Sequence, residues 1–403
     1  MGREADDVEA LGFQGRTVDT NDVSLLFGPS QTTPAMEEAV SDVAWLRAML
    51  RFEAELAIAQ AKLGWIPEEA ARAIAHSCAT HSFDIAVIGR AAIASATPVV
   101  PLLEALRETL PDDVRPNLHR GATSQDVIDT AMMLIARDGI GVLLADLTRL
   151  GDRCVELGAA HRTTPIAART LLQQAVPTTF GLKAANWLMG LVASRRLLID
   201  LRDRRLALQL GGAAGTLAAF GGGALELSSL LAARLDLVDP PLPWHSERSR
   251  VIQLAMTLSV TAVAAGKISR DLVLMAQTEV GEVSFGNPGK SSAMPHKRNP
   301  AAAVEAEACV RSAAGPVAVL LQSAQGEHER AAGAWQAEWQ AVTDAFRFTA
   351  GAVGHTLRAL TDARLDTERM RKNLFLGPGE DGSPSAAGEL IDRALAAYRG
   401  DSR

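Results

Sequence analysis

The chain has 403 residues, of which 48% are hydrophobic, 22% charged and only 4% aromatic. That length exceeds one compact core and predicts two or three domains, and a composition dominated by Ala and Leu favours helices packed closely on helices. The net charge of −7 comes with no basic stripe, which argues against a nucleic-acid partner; Cys78, Cys154 and Cys309 lie far apart with no CxxC spacing, which argues against a zinc site or disulfide framework and for buried thiols in a reducing cytoplasm.

Residues 1–20 are polar and acidic, lack the basic-then-apolar order of a signal peptide, and read as a disordered leader. Residues 21–116 read as an N-terminal helical domain in which helical segments alternate with Gly and Pro stops. Within it, residues 45–63 carry apolar side chains at helical spacing and end at Gly64 and Pro67, and the run from Pro111 to Pro116 reads as a boundary loop. Residues 117–354 read as a central domain of long helices, predicted over 125–156, 179–210, 251–283 and 301–321. At 1.5 Å per residue each spans about 30–50 Å, which predicts an extended bundle of the kind often shared between subunits. The uncharged run 251–266 is shorter than the roughly 20 residues of a membrane span and contains Gln253, Thr257, Ser259 and Thr261. It reads as a buried bundle helix, and no membrane association is expected. No period-2 apolar alternation is sustained, so no central sheet is expected. Residues 355–403 read as a short C-terminal helical domain, with a Gly/Pro/Ser stretch over 376–386 and a last helix over 387–398.

The segment richest in chemistry, 284–300, lies between two of the long helices. It is polar, holds Gly and Pro, and concentrates Lys290, Ser291, Ser292, His296, Lys297, Arg298 and Asn299. Such a loop can close over an anionic substrate and exclude water, with amides, hydroxyls and Lys297 stabilising a developing carboxylate dianion. A solvated connector between helices fits the composition as well. A second segment, HRGATSQD from His119 to Asp126, opens the first long helix. Thr123 can cap that helix while Asp126 reaches back, and the exposed amides of a helix start can hold a carboxylate; a plain N-cap has the same residues. A third segment, ARTLLQQAVPTTFG over 168–181, is by itself a polar turn leading into a helix. Arg330 in EHER and Arg250 in PWHSERSR are cations that either meet an anion or face water. The glycines at 211, 212, 215 and 221–223 make no GxGxxG after a strand and read as turns and close helix contacts.

SSAMPHKRNP resembles the signature SSxMPxKxNP of the fumarase/aspartase superfamily. GATSQDVIDTA resembles the first conserved region of that superfamily, and ARTLLQQ its second, with Leu171 where the family has a histidine. QTEVGEV resembles the helix that leads into the signature loop. The resemblance implies an all-α, three-domain fold whose long-helix bundle forms the core of a homotetramer. It also implies active sites built from three chains, with no metal and no organic cofactor. Ser291 maps to the catalytic base, and Lys297 and Asn299 to ligands of a substrate carboxylate. Thr123, Ser124, Arg169, Thr170, Gln173, Arg250, Ser292, Met294 and Arg330 map to further substrate-binding positions.

Most members expel hydroxide or an amine and use, as general acid, the histidine that is Leu171 here. In fumarases that histidine has a glutamate partner, whose position is Val304 here; a second histidine of adenylosuccinate lyases falls near Thr97 and Pro98. A carboxylate that attacks or leaves is ionised at neutral pH and needs no such acid. One branch of the superfamily, the 3-carboxy-cis,cis-muconate cycloisomerases of protocatechuate breakdown, uses this chemistry. Its strings match HRGATSQD, ARTLLQQAVPTTFG, PWHSERSR, QTEVGEV, SSAMPHKRNP and EHERAAGAWQAEW, in that order over about residues 23–355. The implied reaction adds one carboxylate of a small tricarboxylate across a conjugated double bond, closes a lactone and passes through an aci-carboxylate. A serine hydroxyl is a poor acid, so a proton donor is expected among His296, His119 and His161. Alternatives are another lyase of the superfamily, such as adenylosuccinate lyase, and a catalytically silent structural relative.

Overall fold

The computed structural model describes residues 26–374 and 386–401. The expected leader at 1–20 and nearly all of the 376–386 stretch lie outside the described residues. The chain opens with α1 (Pro34–Ala39), α2 (Asp42–Lys62), α3 (Glu68–Thr80), α4 (Ile85–Ser95) and α5 (Val99–Glu108). Local signals fix these ends. The Ser41 hydroxyl accepts the Ala44 amide at the start of α2, Asp42 and Lys62 suit the two ends of its dipole, and Gly64 turns the chain away at φ +73°.

Long helices follow: α6 (Ser124–Ala160), α7 (Phe180–Arg204), α9 (Ser249–Met275), α10 (Ala301–Ser323) and α11 (Ala334–Asp362), with the shorter α8 (Ala224–Leu235) between α7 and α9. They pack lengthwise into a bundle. Its interior holds Phe180, Trp187, Ile128, Met132, Met133 and Phe346, all fully buried. Missing side chains let the helices approach: a Cβ at Gly139 would fall 2.8 Å from the Phe346 ring, and one at Gly266 would fall 2.8 Å from Val310. Helix α9 is, among the described residues, the one long and apolar enough to span a bilayer. It buries Leu254, Leu258, Ala262, Ala265, Ile268 and Leu272 inside the bundle, as expected of a core helix.

The all-helical expectation holds. Strands are confined to a hairpin of β1 (Pro165–Thr170) with β2 (Gln173–Thr179) and a pairing of β3 (Val283–Phe285) with β4 (Ala363–Leu365), both antiparallel. Two helices stop earlier than their apolar pattern predicts. Helix α7 ends at Arg204, not 210, because 206–210 peel off to other partners: Leu208 donates to Val238, and the Gln209 amide donates to Thr130. Helix α9 ends at Met275, not 283; the chain turns at Gly281 (φ +62°) and enters β3. Helix α11 was not anticipated as an element, and it runs unbroken past the composition change at 354–355. Gly351 and Gly354 lie inside it because the segment 31–33 crosses there, with Gln31 O and Thr33 Cγ2 where their Cβ atoms would stand. The chain ends with α12 (Thr367–Lys372) and α13 (Ala387–Asp401), which lies against α6 and α7; the Tyr398 hydroxyl donates to Asp152 at 2.7 Å.

Candidate active site

The start of α6 is the first place where chemistry gathers. Asp126, fully buried one turn into the helix, accepts the amides of Thr123, Gly211 and Gly212 at 2.9–3.0 Å, and His245 Nε2 at 2.7 Å. The first of these is the reach-back that the capping pattern predicts. The other three tie the helix start to a glycine turn and to the Trp244–His245 segment. His245 Nδ1 is buried without a partner among the described residues. Thr123 and Ser124 are half-buried at this mouth. Arg330 joins them: its Nε donates to Gln125 Oε1 at 3.0 Å and its Nη2 to Ala213 O at 3.3 Å. The Gln125 amide is itself fixed, donating to Asp129 and to His245 O.

Behind this mouth lies a buried ionic cluster. Arg248 donates to both oxygens of Asp129 at 2.7 and 3.0 Å and to Glu338, and its guanidinium lies over the Trp244 ring. Burial works against the charge of Arg248, but Asp129 and Glu338 outweigh it and hold the group protonated. Burial likewise pushes the Glu338 carboxyl up, against the pull of Arg248. Arg250, the arginine singled out in the sequence, sits two residues on and donates to Arg205 O at the end of α7. The arginine of the PWHSERSR segment that enters the interior is Arg248, beside the buried Trp244 and His245.

The remaining expected residues gather elsewhere. Arg169 on β1 forms a two-pronged pair with Glu282, which is wholly buried, at 2.6 and 2.9 Å; Asn373 donates to the same carboxylate. Thr170 and Gln173 face each other across the hairpin turn. The turn itself is Leu171–Leu172, both at positive φ (51° and 64°), and Leu171 is 96% exposed. Non-glycine residues rarely hold this conformation, and never cheaply. The loop 284–300 begins two residues after Glu282. Its stem is closed by a two-way pairing of Gly289 and Asn299 and anchored by Asn287 on Asp362. Inside it the Met294 amide donates to Ser291 Oγ at 3.0 Å. Ser292, Met294, His296 and Lys297 stand exposed, and the side chains of His296 and Lys297 make no hydrogen bond or ion pair among the described residues.

These two assemblies occupy opposite ends of the bundle. The loop precedes α10 and Arg330 follows it, and α10 has 23 residues, about 35 Å of helix. Helix α9 separates Arg248 from Glu282 in the same way, and α7 separates the hairpin from Gly211. No hydrogen bond or ion pair among the described residues joins the two ends. One chain therefore brings Thr123, Ser124 and Arg330 together, and separately Arg169, Thr170, Gln173 and the loop.

Sequence reading missed Asp129, His245, Arg248 and Glu338. The one available signal was the pair Gln125 and Asp129, polar at i and i+4 on a helix whose surroundings are apolar. Among the described residues, no group of three or more His, Cys, Asp and Glu side chains is placed to hold a metal ion.

A family profile described as lyase matches residues 29–318. Among curated proteins, the chain is 42% identical to the 3-carboxy-cis,cis-muconate cycloisomerase of Bradyrhizobium diazoefficiens, over 87% of this chain and 79% of that one. It is 40% identical to the nitrosuccinate lyase of Streptomyces davaonensis, over 91% and 80%. The crystal structure of the 3-carboxy-cis,cis-muconate lactonizing enzyme from Pseudomonas putida superposes with a TM-score of 0.83 at 35% identity, covering 94% of this chain and 88% of that one. The chain belongs to this lyase family, as the resemblance to the fumarase/aspartase superfamily implies.

Proposed function

We propose that the chain is a 3-carboxy-cis,cis-muconate cycloisomerase, which closes its substrate to 4-carboxymuconolactone. The observation that carries this reading is the hairpin tip. A complete signature loop coexists with Leu171 where the superfamily keeps a leaving-group acid, and with an apolar, exposed Val304 where fumarases keep its glutamate partner. A carboxylate nucleophile is ionised at neutral pH and needs neither group. The named relatives support the same reaction.

In the working site, Thr123, Ser124 and Arg330 bind carboxylates at the mouth of α6. The loop closes from the other side, with Lys297 and Asn299 on the carboxylate that gains charge, and with Ser291, Ser292, Met294 and His296 lining the substrate. Holding three carboxylates brings the nucleophile within reach of the double bond and stabilises the dianion as it forms. Thr170 and Gln173 present the hairpin tip to the substrate, and Arg169 fixes that hairpin to Glu282. Arg250 keeps the end of α7 in place beside the mouth.

Because the two halves lie at opposite ends of one chain, the site is assembled from several copies, in a homotetramer held by the long helices. Apolar side chains exposed along α9 at Met256, Val260 and Val263, one helical face by spacing, together with Met189 and Leu197 on α7 and Val319 and Leu321 on α10, support such an assembly. The expected setting is the cytoplasm.

The test is the loss of conjugated-diene absorbance when purified protein meets 3-carboxy-cis,cis-muconate, with fumarate, adenylosuccinate and nitrosuccinate alongside. Turnover of the muconate at least tenfold above the others is expected. A second reading has a specific observation behind it: the nitrosuccinate lyase relative is nearly as similar. Expelled nitrite would also depart as a stable anion without a general acid. Preferred turnover of nitrosuccinate would establish that reading in place of the first.

A further inference from the structure

Lactone closure consumes a proton. A carboxylate oxygen forms the new C–O bond, the π electrons move onto another carboxylate as a dianion, and the α-carbon then forms a C–H bond. The trianionic substrate thus becomes a dianionic product, and the proton comes from the protein.

Three histidines are the candidate donors that the sequence offers: His161, His296 and His119. His161 packs edge-on against Phe180, its Nδ1 lies 3.1 Å from the Thr164 hydroxyl, and burial, then Arg153, lowers its pKa, so it is neutral. His296 is exposed on the loop and has no carboxylate beside it among the described residues. His119 differs from both. Its Nδ1 lies 2.6 Å from Glu53 Oε1. Glu53 is 1% exposed and its other oxygen is buried without a partner, so the imidazole is the group that answers its charge. The His119 backbone is left-handed at φ +57°, a conformation kept only where packing holds it. Gln60 on α2 grips the next carbonyl, Arg120 O, at 2.8 Å. The His119 side chain is 14% exposed and its Nε2 has no hydrogen-bond partner among the described residues. It stands just before Thr123 and Ser124, at the mouth assigned to the substrate.

We propose that His119 delivers the proton to the α-carbon from Nε2, and that Glu53 is the residue that positions and charges the ring. This rests on the cycloisomerase reading of the site. The groups that bear on His119 come from three helices. Burial lowers its pKa; the charge and hydrogen bond of Glu53 on α2 and the charge of Asp126 on α6 raise it; Arg107 on α5 lowers it; the net direction is up. The ring therefore keeps its proton to higher pH than a free imidazole does. After transfer it is neutral, and Glu53 favours its recovery of a proton from water.

The sign follows for the pH profile. Activity requires the protonated ring, so kcat falls as pH rises through the raised pKa of His119. Glu53→Gln removes the main raising influence and moves that alkaline limb to lower pH. The double variant Glu53→Gln/His119→Gln removes both members of the pair at similar volume, leaves no buried charge, and is expected to remain folded by circular dichroism. It should lose the limb and at least about 100-fold in kcat, the lower end of what a general acid contributes. His119→Gln alone should lose both as well. A double variant within about threefold of wild-type kcat, or a limb that Glu53→Gln leaves in place, overturns the assignment. Wild-type protein that fails to turn over 3-carboxy-cis,cis-muconate overturns the cycloisomerase reading itself, a distinct result.

Discussion

Arg248 sits in contact with two buried carboxylates, Asp129 and Glu338, and none of the three is more than 3% exposed. Removing the cation leaves both acids uncompensated where water cannot reach them, a far larger effect than the net worth of the pair. Arg248→Met is expected to lower the free energy of unfolding by about 3–5 kcal/mol in a urea titration. A loss below about 1 kcal/mol would mean that Gln125, Gln209 and Trp335, which also bond Asp129, suffice to hold it. Beyond the i, i+4 pair of Gln125 and Asp129, none of this cluster was legible in the sequence, and the reason is physical. Arg248, Asp129 and Glu338 are far apart along the chain, and each in isolation looks like an ordinary surface charge. The loop residues stand out in the sequence because they are local: Ser291, Lys297 and Asn299 fall within one short Gly- and Pro-rich run. Arg169 lies between these cases. Its position was readable, but its engagement with Glu282 depends on a contact made across the fold.

At the scale of elements, the long helices were readable from composition and spacing, and their early stops were not. An apolar run looks the same whether it continues a helix or leaves it to pair with another segment, as 206–210 do beside Val238. Helix α11 is hard to read from the sequence because Gly351 and Gly354 lie inside it and weaken its local helical preference. The junction of α6 with α7 shows how closely these elements fit. The Gly181 amide donates to His161 O at 2.9 Å, and a Cβ at Gly181 would stand 2.7 Å from Gly158 O and 2.8 Å from His161 O. Both obstacles are backbone carbonyls in a helix terminus, so neither can turn aside as a side chain would. Gly181→Ala should therefore cost at least about 1–3 kcal/mol of stability, seen as a lower melting temperature. The hairpin 165–179 leads directly into this junction, so activity should fall further than stability alone explains. A variant that melts at the wild-type temperature would show that the α6–α7 junction has slack.

Over the whole molecule, the decisive feature is that the residues proposed to bind substrate sit at two ends of a bundle, separated by the about 35 Å of α10. Copies arranged with their long helices side by side, in opposite directions, bring the α6 mouth of one against the loop of another. The hairpin tip belongs to the same logic. Leu171 and Leu172 hold a costly backbone conformation and project apolar side chains into solvent in the isolated chain, and burial against another copy would offset that cost. Such an assembly has a consequence that a self-contained site lacks. Ser291→Ala spoils only the loop end of its own chain, and Thr123→Ala with Ser124→Ala spoils only the mouth end. Each variant alone should be inactive. Unfolded together in equal amounts and refolded, they should regain activity, because a site that takes its mouth from the first variant and its loop from the second is intact. Random assortment predicts about a quarter of wild-type kcat, with KM unchanged, in particles that elute as tetramers. If the mixture stays as inactive as its components while still eluting as a mixed tetramer, both ends must meet within one chain, and the separation along α10 would have to be bridged by a rearrangement of the bundle itself.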